Sequence, residues 1–401
     1  MKIVMAVVSD LRSDARVRRE AASLAADGHQ VRVVGFDSGV ARRDRLVEEG
    51  VLYDVLPFPR RNLPRLLRLA LAGVGLLRAA LLIIRGKPDV VHCHNLHLSL
   101  PALLCARRHR AALVYDAHEL EACMHRWPVR QVIERWERTV WRRSRARITT
   151  NPSRAAYLEK LHGSRPVVVG NYPRTPDAGV EPKDLRCRLG IPRDRLVLIF
   201  QGGFYLDSRC FDTVAAALRD LPEWHWVIIG FGRDDSVRKL HEIVAECGIE
   251  YRTSLLPAVP VDELLSYTAA ADVGVVALTN AHLNCYLGDT NKLFEYLMAG
   301  LPVVGSDFPE VRRAVLGNGV GPVGALFDPS SSASVARALR EVAHDLEIFR
   351  RNAEKVRGTY SWETESRTLT RLYRALATAG DVRPDTEQGR PAEPSSLPKG
   401  A

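Results

Sequence analysis

Twice along the chain, an apolar run of strand length gives way to a polar loop, an amphipathic stretch and a second apolar run. Residues 1–35 contain KIVMAVVSD, LRSDARVRREAASLAADGHQ and VRVVGF in that order, and the pattern restarts near 195 with LVLIFQGGFYLDSRCFDTVAAAL and WHWVIIGFGRDDSVRKLHEIV. Short continuous apolar runs alternating with helix-period segments point to parallel strands joined by crossover helices. Two such series in 401 residues exceed one ordinary core and predict two α/β domains. The expected boundaries are a first domain over 1–173, a Pro-, Asp- and Gly-rich linker over 174–194, and a second domain over 195–360. A C-terminal helix over 361–379 could cross back to the first domain, and the Pro-, Gly- and Ser-rich stretch 380–401 is expected to be disordered.

Hydrophobic residues make up 46% and charged residues 26%, the balance of a soluble globular protein. The apolar run Ile3 to Val8 is too short for a secretory signal and ends in Ser9-Asp10. Seven cysteines without paired spacing argue for a reducing cytoplasm and against a disulfide or zinc framework. Charge is uneven: residues 1–170 hold 30 Lys and Arg against 16 Asp and Glu, and the remainder 27 against 31. A basic first half suits an anionic membrane surface or an acidic substrate, while no nucleic-acid module accompanies it, so no nucleic-acid partner is expected. Arg60 to Lys87 is the most apolar segment, but Arg68 and Arg78 interrupt it, which argues against a membrane span. Packing on the sheet is the first expectation for this helix. A basic, leucine-rich face on lipid headgroups, with the cluster Arg60, Arg61, Arg65 and Arg68, is the other, and both can hold for different faces.

Open α/β sheets place ligands at the carboxyl ends of their strands. The first such end offers Asp10, Asp14 and Arg16, which could hold a hydroxylated ligand or simply solvate the loop and cap a helix. DVVHCHNLH ends in His92, His94, Asn95 and His97, and ALVYDAHELEA in Asp116, His118 and Glu119. Three histidines in six residues invite a metal reading, yet no cysteine or carboxylate completes a known spacing, so these residues are read as lining a cleft without a metal. In the second half, Gly202-Gly203 permits close backbone approach, Arg209 near the next helix can fork onto phosphate, and Gly230 and Gly232 follow another strand. DTNKLFEYLMAGLPVVG, residues 289–305, reads as a helix capped by Asp289 or Thr290, closed at Gly300, and followed by a buried strand. Its first-turn amides form an anion site, with Lys292 and Glu295 on one face suited to a diphosphate and ribose hydroxyls. An ordinary amphipathic helix with a surface ion pair is the alternative.

Together these stretches resemble the retaining family 4 glycosyltransferases, group 1 type, of the GT-B fold: two Rossmann-like domains with parallel sheets facing across a cleft. NKLFEYLMAGLPVV and QGGFYLDSR carry the likeness in the second half, and DARVRREAASLAADGHQVRVV, DVVHCHN and YDAHE carry it in the first, so that it spans nearly 1–375. The resemblance implies transfer from an NDP-sugar donor to a hydroxylated acceptor, lipid-linked or a polysaccharide precursor at the inner membrane face. Configuration would be retained without metal or cofactor. Arg209 matches the family's cation on the donor diphosphate, Lys292 a second phosphate contact, Glu295 the ribose ligand and His118 a first-domain histidine that contacts the donor sugar. Gly202, Gly203, Gly232, Asp289, Thr290 and Asn291 complete the candidate donor set; Asp14, Arg16, Asn95 and Glu119 form the candidate acceptor set. Two departures stand out. Leu287 occupies the place of an upstream glutamate common in the family, and Cys210 that of a glycine. A catalytically silent nucleotide-sugar-binding subunit and a GT-B epimerase of sugar nucleotides are the alternative functions.

Overall fold

The computed structural model describes residues 1–12, 14–37, 43–58, 64–176 and 180–378. Arg60, Arg61 and the stretch 380–401 lie outside the described residues. Two compact units divide the chain: one takes Met1–Asn171 and the chain from Glu365 onward as far as 378, the other Tyr172–Thr364.

The first unit contains β1 (Lys2–Asp10), β2 (Gln30–Asp37), β3 (Asp44–Glu48), β4 (Val51–Pro57), β5 (Val90–His94), β6 (Ala112–Ala117), β7 (Ala146–Thr149) and β8 (Val167–Val168). They form one sheet in the order β3-β4-β2-β1-β5-β6-β7-β8. Neighbours run parallel except β3 and β4, a hairpin in which Glu49 and Gly50 both adopt positive φ. That combination closes a two-residue turn whose twist matches the strands. The hairpin lies in a stretch that hydrophobic periodicity leaves blank, because β3 is almost wholly exposed and carries no apolar run.

The second unit contains β9 (Leu196–Gly203), β10 (Trp224–Phe231), β11 (Thr253–Pro257), β12 (Val273–Val276), β13 (Val303–Ser306) and β14 (Gly324–Phe327), all parallel in the order β11-β10-β9-β12-β13-β14. Alternation along β9 and β10 explains their unbroken apolar sequences. Leu198, Phe200, Trp226 and Ile228 feed the core on one face, Val197, Ile199, Val227 and Ile229 that on the other.

One expected boundary needs correction. The stretch 174–194 is not a bare linker: it forms a helix at Leu185–Leu189 and sinks Leu185 and Ile191 into the second unit's core. The helix Trp362–Ala377 joins the first unit from Glu365. There Tyr373 is fully buried with its hydroxyl 2.8 Å from His92 Nδ1, and Arg374 pairs with Asp27.

Candidate functional site

In the second unit β9 and β12 are neighbours, and the helix Asn291–Met298 docks beside them. Tyr296 anchors it. Its ring fills the space where a Cβ on Gly274 would stand, 2.3 Å away, and its hydroxyl accepts from Gln201 N and lies 3.2 Å from the Ile199 carbonyl oxygen. The next residue toward the amino end, Glu295, receives a bond from Gln201 Nε2 at 2.5 Å, and Thr268 Oγ1 donates to Oε1 of the same amide at 2.7 Å. Gln201 and Thr268 were not anticipated from sequence. The only signal was a polar residue closing an apolar strand immediately before paired glycines.

Gly202 sits at φ +118, a region that favours glycine, and a Cβ there would lie 3.6 Å from Lys292 Cε. Lys292 thus crosses the end of β9. Only 6% of it is exposed, its Nζ lies 5.0 Å from the centre of the Phe200 ring, and it donates to Thr290 Oγ1 at 3.1 Å. Thr290 occupies the helix N-cap position, but the capping bond expected of its side chain is not made. Its hydroxyl faces the ammonium instead. Burial pushes the Lys292 pKa down to about 7, with the Arg209 charge adding to the effect and Glu295 opposing it. Arg209 donates to the carbonyl and hydroxyl of Ser208 and lies over the Tyr205 ring, and burial lowers its pKa as well. Its Nε is buried without a hydrogen-bond partner. Among the described residues neither Lys292 nor Arg209 makes a salt bridge. Two cations held near one strand end, neither of them in a salt bridge among the described residues, form a candidate site for an anion.

The remaining donor candidates divide. Asn291 is exposed at the first helical position, and Asp289 is half-buried just before it. Gly203 and Gly232 serve packing: a Cβ on Gly203 would meet the Tyr205 ring at 2.4 Å, and one on Gly232 would meet Phe204 at 3.0 Å. Leu287 is buried, so a carboxylate at this position would need its own polar partners. Cys210 is buried too, and burial pushes its thiol up to about 12, which makes it a packing residue.

In the first unit the ends of β5 and β6 carry a dense polar cluster. His118 Nε2 lies 2.9 Å from Asp116 Oδ2, 3.0 Å from His94 Nδ1 and 3.0 Å from Arg16 Nε. Asn95, at φ +56, accepts from the backbone amides of His118 and Glu119 and so fixes their loop. Glu119 is half-buried and pairs with Arg154 at 3.3 Å. Two acceptor candidates need correction. Asp14 caps the helix Ala15–Ala26 by accepting from Val17 N. Arg16 is turned inward, with Nη1 on the Val169 carbonyl, Nη2 on Asp116 and Nε 2.9 Å from Glu20. Helix periodicity places Arg16 and Glu20 on one face but does not reveal that this face is the buried one.

Glu20, His92, His94 and Asp116 bring four ligand-type atoms within 4.8 Å of one another. The carboxylates that sequence spacing missed are therefore present in space. A cation here would stand beside the fixed Arg16 guanidinium, which already contacts both carboxylates. Burial alone would raise the Asp116 pKa, but the Arg16 and His118 charges hold it well below the usual carboxylate range. Burial raises that of Glu20 well above it. Burial also lowers the pKa of His92 and His94, which favours the neutral form of both imidazoles. The arrangement is two carboxyls on one arginine, Asp116 held toward its ionised form and Glu20 toward its neutral form.

Residues 13–171 match the family model described as glycosyl transferase 4-like domain, and residues 195–345 match glycosyl transferases group 1. Over 222 residues the chain is 28% identical to a D-inositol 3-phosphate glycosyltransferase of Corynebacterium urealyticum, covering 52% of this chain and 50% of that protein. The match thus spans half of that relative's length. Among solved structures, the fold is similar to sucrose-phosphate synthase from Thermosynechococcus elongatus, with a TM-score of 0.78, 18% identity, and 95% of this chain and 100% of that one covered. Anabaena HepE in complex with UDP-glucose gives 0.71, 16%, 94% and 100%. An α,α-trehalose-phosphate synthase (UDP-forming) from Burkholderia vietnamiensis gives 0.63, 16%, 94% and 100%. Both halves match their domain families in chain order, and both build the required parallel sheets; the chain belongs to the group 1 glycosyltransferases of the GT-B fold.

Proposed function

We propose that this glycosyltransferase moves a sugar from a nucleoside diphosphate sugar to a hydroxylated acceptor with retention of configuration and without a metal ion. The observation that carries the reading is the pair Arg209 and Lys292, one half-buried and one buried cation, neither in a salt bridge among the described residues, beside the end of β9. Breaking the bond between the anomeric carbon and the phosphate oxygen builds charge on the departing diphosphate. A preorganised guanidinium and ammonium in a low-dielectric site stabilise that charge, the work a carboxylate-held metal does elsewhere. Glu295, oriented by Gln201, is the proposed ribose ligand, and Asn291 and Asp289 flank it. In the first unit, His118 is proposed to meet a sugar hydroxyl, and Asn95 and Glu119 are the remaining acceptor candidates. Retention is supported by the resemblance to retaining family 4 enzymes. UDP-sugars are the first donors to try, because Anabaena HepE was solved with UDP-glucose. A lipid-linked acceptor would meet the enzyme at an anionic membrane surface.

Thermal unfolding with UDP-, GDP- and ADP-sugars, followed by measurement of nucleoside diphosphate release, tests the reading. One nucleotide class should raise Tm by mass action. Arg209→Ala should lower turnover about 100-fold or more. Absence of both stabilisation and release across the three classes would overturn the proposal.

A further inference from the structure

The helix Arg65–Arg85 is built the wrong way round for a surface helix in water. The stripe that packs inward is made of small residues and one isoleucine: Ala72, Gly75, Ala79 and Ile83, with Gly75 so close to the sheet that a Cβ would meet Phe36 at 3.2 Å. The large residues stand on the other side. Leu66 is 82% exposed, Leu69 59%, Leu77 62% and Leu81 41%, at helical spacing with Gly73 between them. By length and composition Leu66–Arg85 could cross a membrane. The inward stripe, however, is committed to the sheet, so the helix presents its leucines sideways along a length of about 31 Å. The adjoining helix Ser99–His109 continues the pattern. It is joined to the first by His109 Nε2 to the Ile84 carbonyl at 2.6 Å and exposes Leu100 and Leu104.

Charge selects the occupant. Neither helix contains an Asp or Glu. Arg78, Arg85, Arg107 and Arg108 are exposed, and among the described residues none of them pairs with a carboxylate. An apolar stripe bordered by unpaired arginines complements an anionic lipid surface, with side chains inserted at the headgroup boundary and guanidinium groups on phosphate. Two copies of this face would oppose arginine to arginine. We propose that these two helices form a docking face on which the enzyme lies against an anionic phospholipid membrane without spanning it. This goes beyond the transferase reading and needs no turnover to be tested.

The experiment is co-sedimentation of the full chain with vesicles of phosphatidylcholine alone or with about one-third phosphatidylglycerol, at low and high salt. Binding should be confined to the anionic vesicles and weaken with salt. Arg78→Glu with Arg108→Glu should reduce partition about twenty-fold or more. Leu66→Ser with Leu77→Ser should reduce it about ten-fold at low salt, since less apolar surface leaves water. All four side chains are exposed, so Tm should stay unchanged. Failure to bind anionic vesicles at low salt, or binding indifferent to both double variants, would overturn the proposal. So would a self-associated protein that ignores vesicles and becomes monomeric in the leucine variant, since that face would then cover a second copy.

Discussion

In the proposed diphosphate site, Lys292 sets function and stability against each other in one side chain. A lysine whose folded pKa is lowered to about 7 binds fewer protons folded than unfolded between there and its ordinary value, so stability rises with pH across that window. Lys292→Met should therefore raise Tm of the nucleotide-free protein at pH 7 by about 5 °C or more, with the gain fading toward pH 10, while diphosphate binding is lost. In the native protein an anion beside the ammonium favours its charged form. Calorimetry at pH 8 should show proton uptake on nucleoside diphosphate binding, and affinity should fall by up to about ten-fold per pH unit above 7. Glu20 offers the opposite sign. Its folded pKa is raised, so the folded state keeps a proton that the unfolded state loses above the ordinary carboxylate range, and stability falls as pH rises. Glu20→Gln, neutral at all pH, should be more stable than the parent at pH 8 and equal to it near pH 4, as read by urea midpoints.

At the scale of elements, the helix Asn291–Met298 was legible from its sequence, including its polar face and its end at Gly300. What holds it was not. Tyr296 reads in sequence as one more apolar residue of an amphipathic helix, yet its hydroxyl reaches between β9 and β12 to Gln201 and Ile199. Tyr296→Phe leaves Gln201 N without this partner in a buried place and should cost about 1–3 kcal/mol in denaturant unfolding. It should also weaken nucleotide binding, because Gln201 orients Glu295. The same reasoning shows why Arg16 misled. Residue spacing defines a helix face but not which face is covered, and the covered face here holds Arg16 and Glu20. The Arg65–Arg85 helix is the converse case, since its largest apolar side chains face outward.

At the scale of the whole molecule, the last described helix completes the first unit. Leu369, Leu372 and Tyr373 are buried there, and Tyr373 touches the His92 end of the polar cluster. A chain ending at Thr364 should lower the first transition of a calorimetric scan by about 5 °C or more, because those side chains leave their core and the cluster is exposed. Retention of the parent scan would show that the helix contributes nothing to that unit. The sequence alone determined the two parallel-sheet domains and their order, and it supplied Arg209 and Lys292 as candidates for the proposed diphosphate site. Those features are written in local periodicity, in glycine and proline positions and in short motifs. Only the tertiary structure decided that Arg16 faces inward, that Glu20 and Asp116 share one arginine, that Lys292 is buried with its pKa near neutrality and that the leucines of one helix face out. Burial and pairing are set by contacts between segments distant in the chain, and no local pattern encodes them.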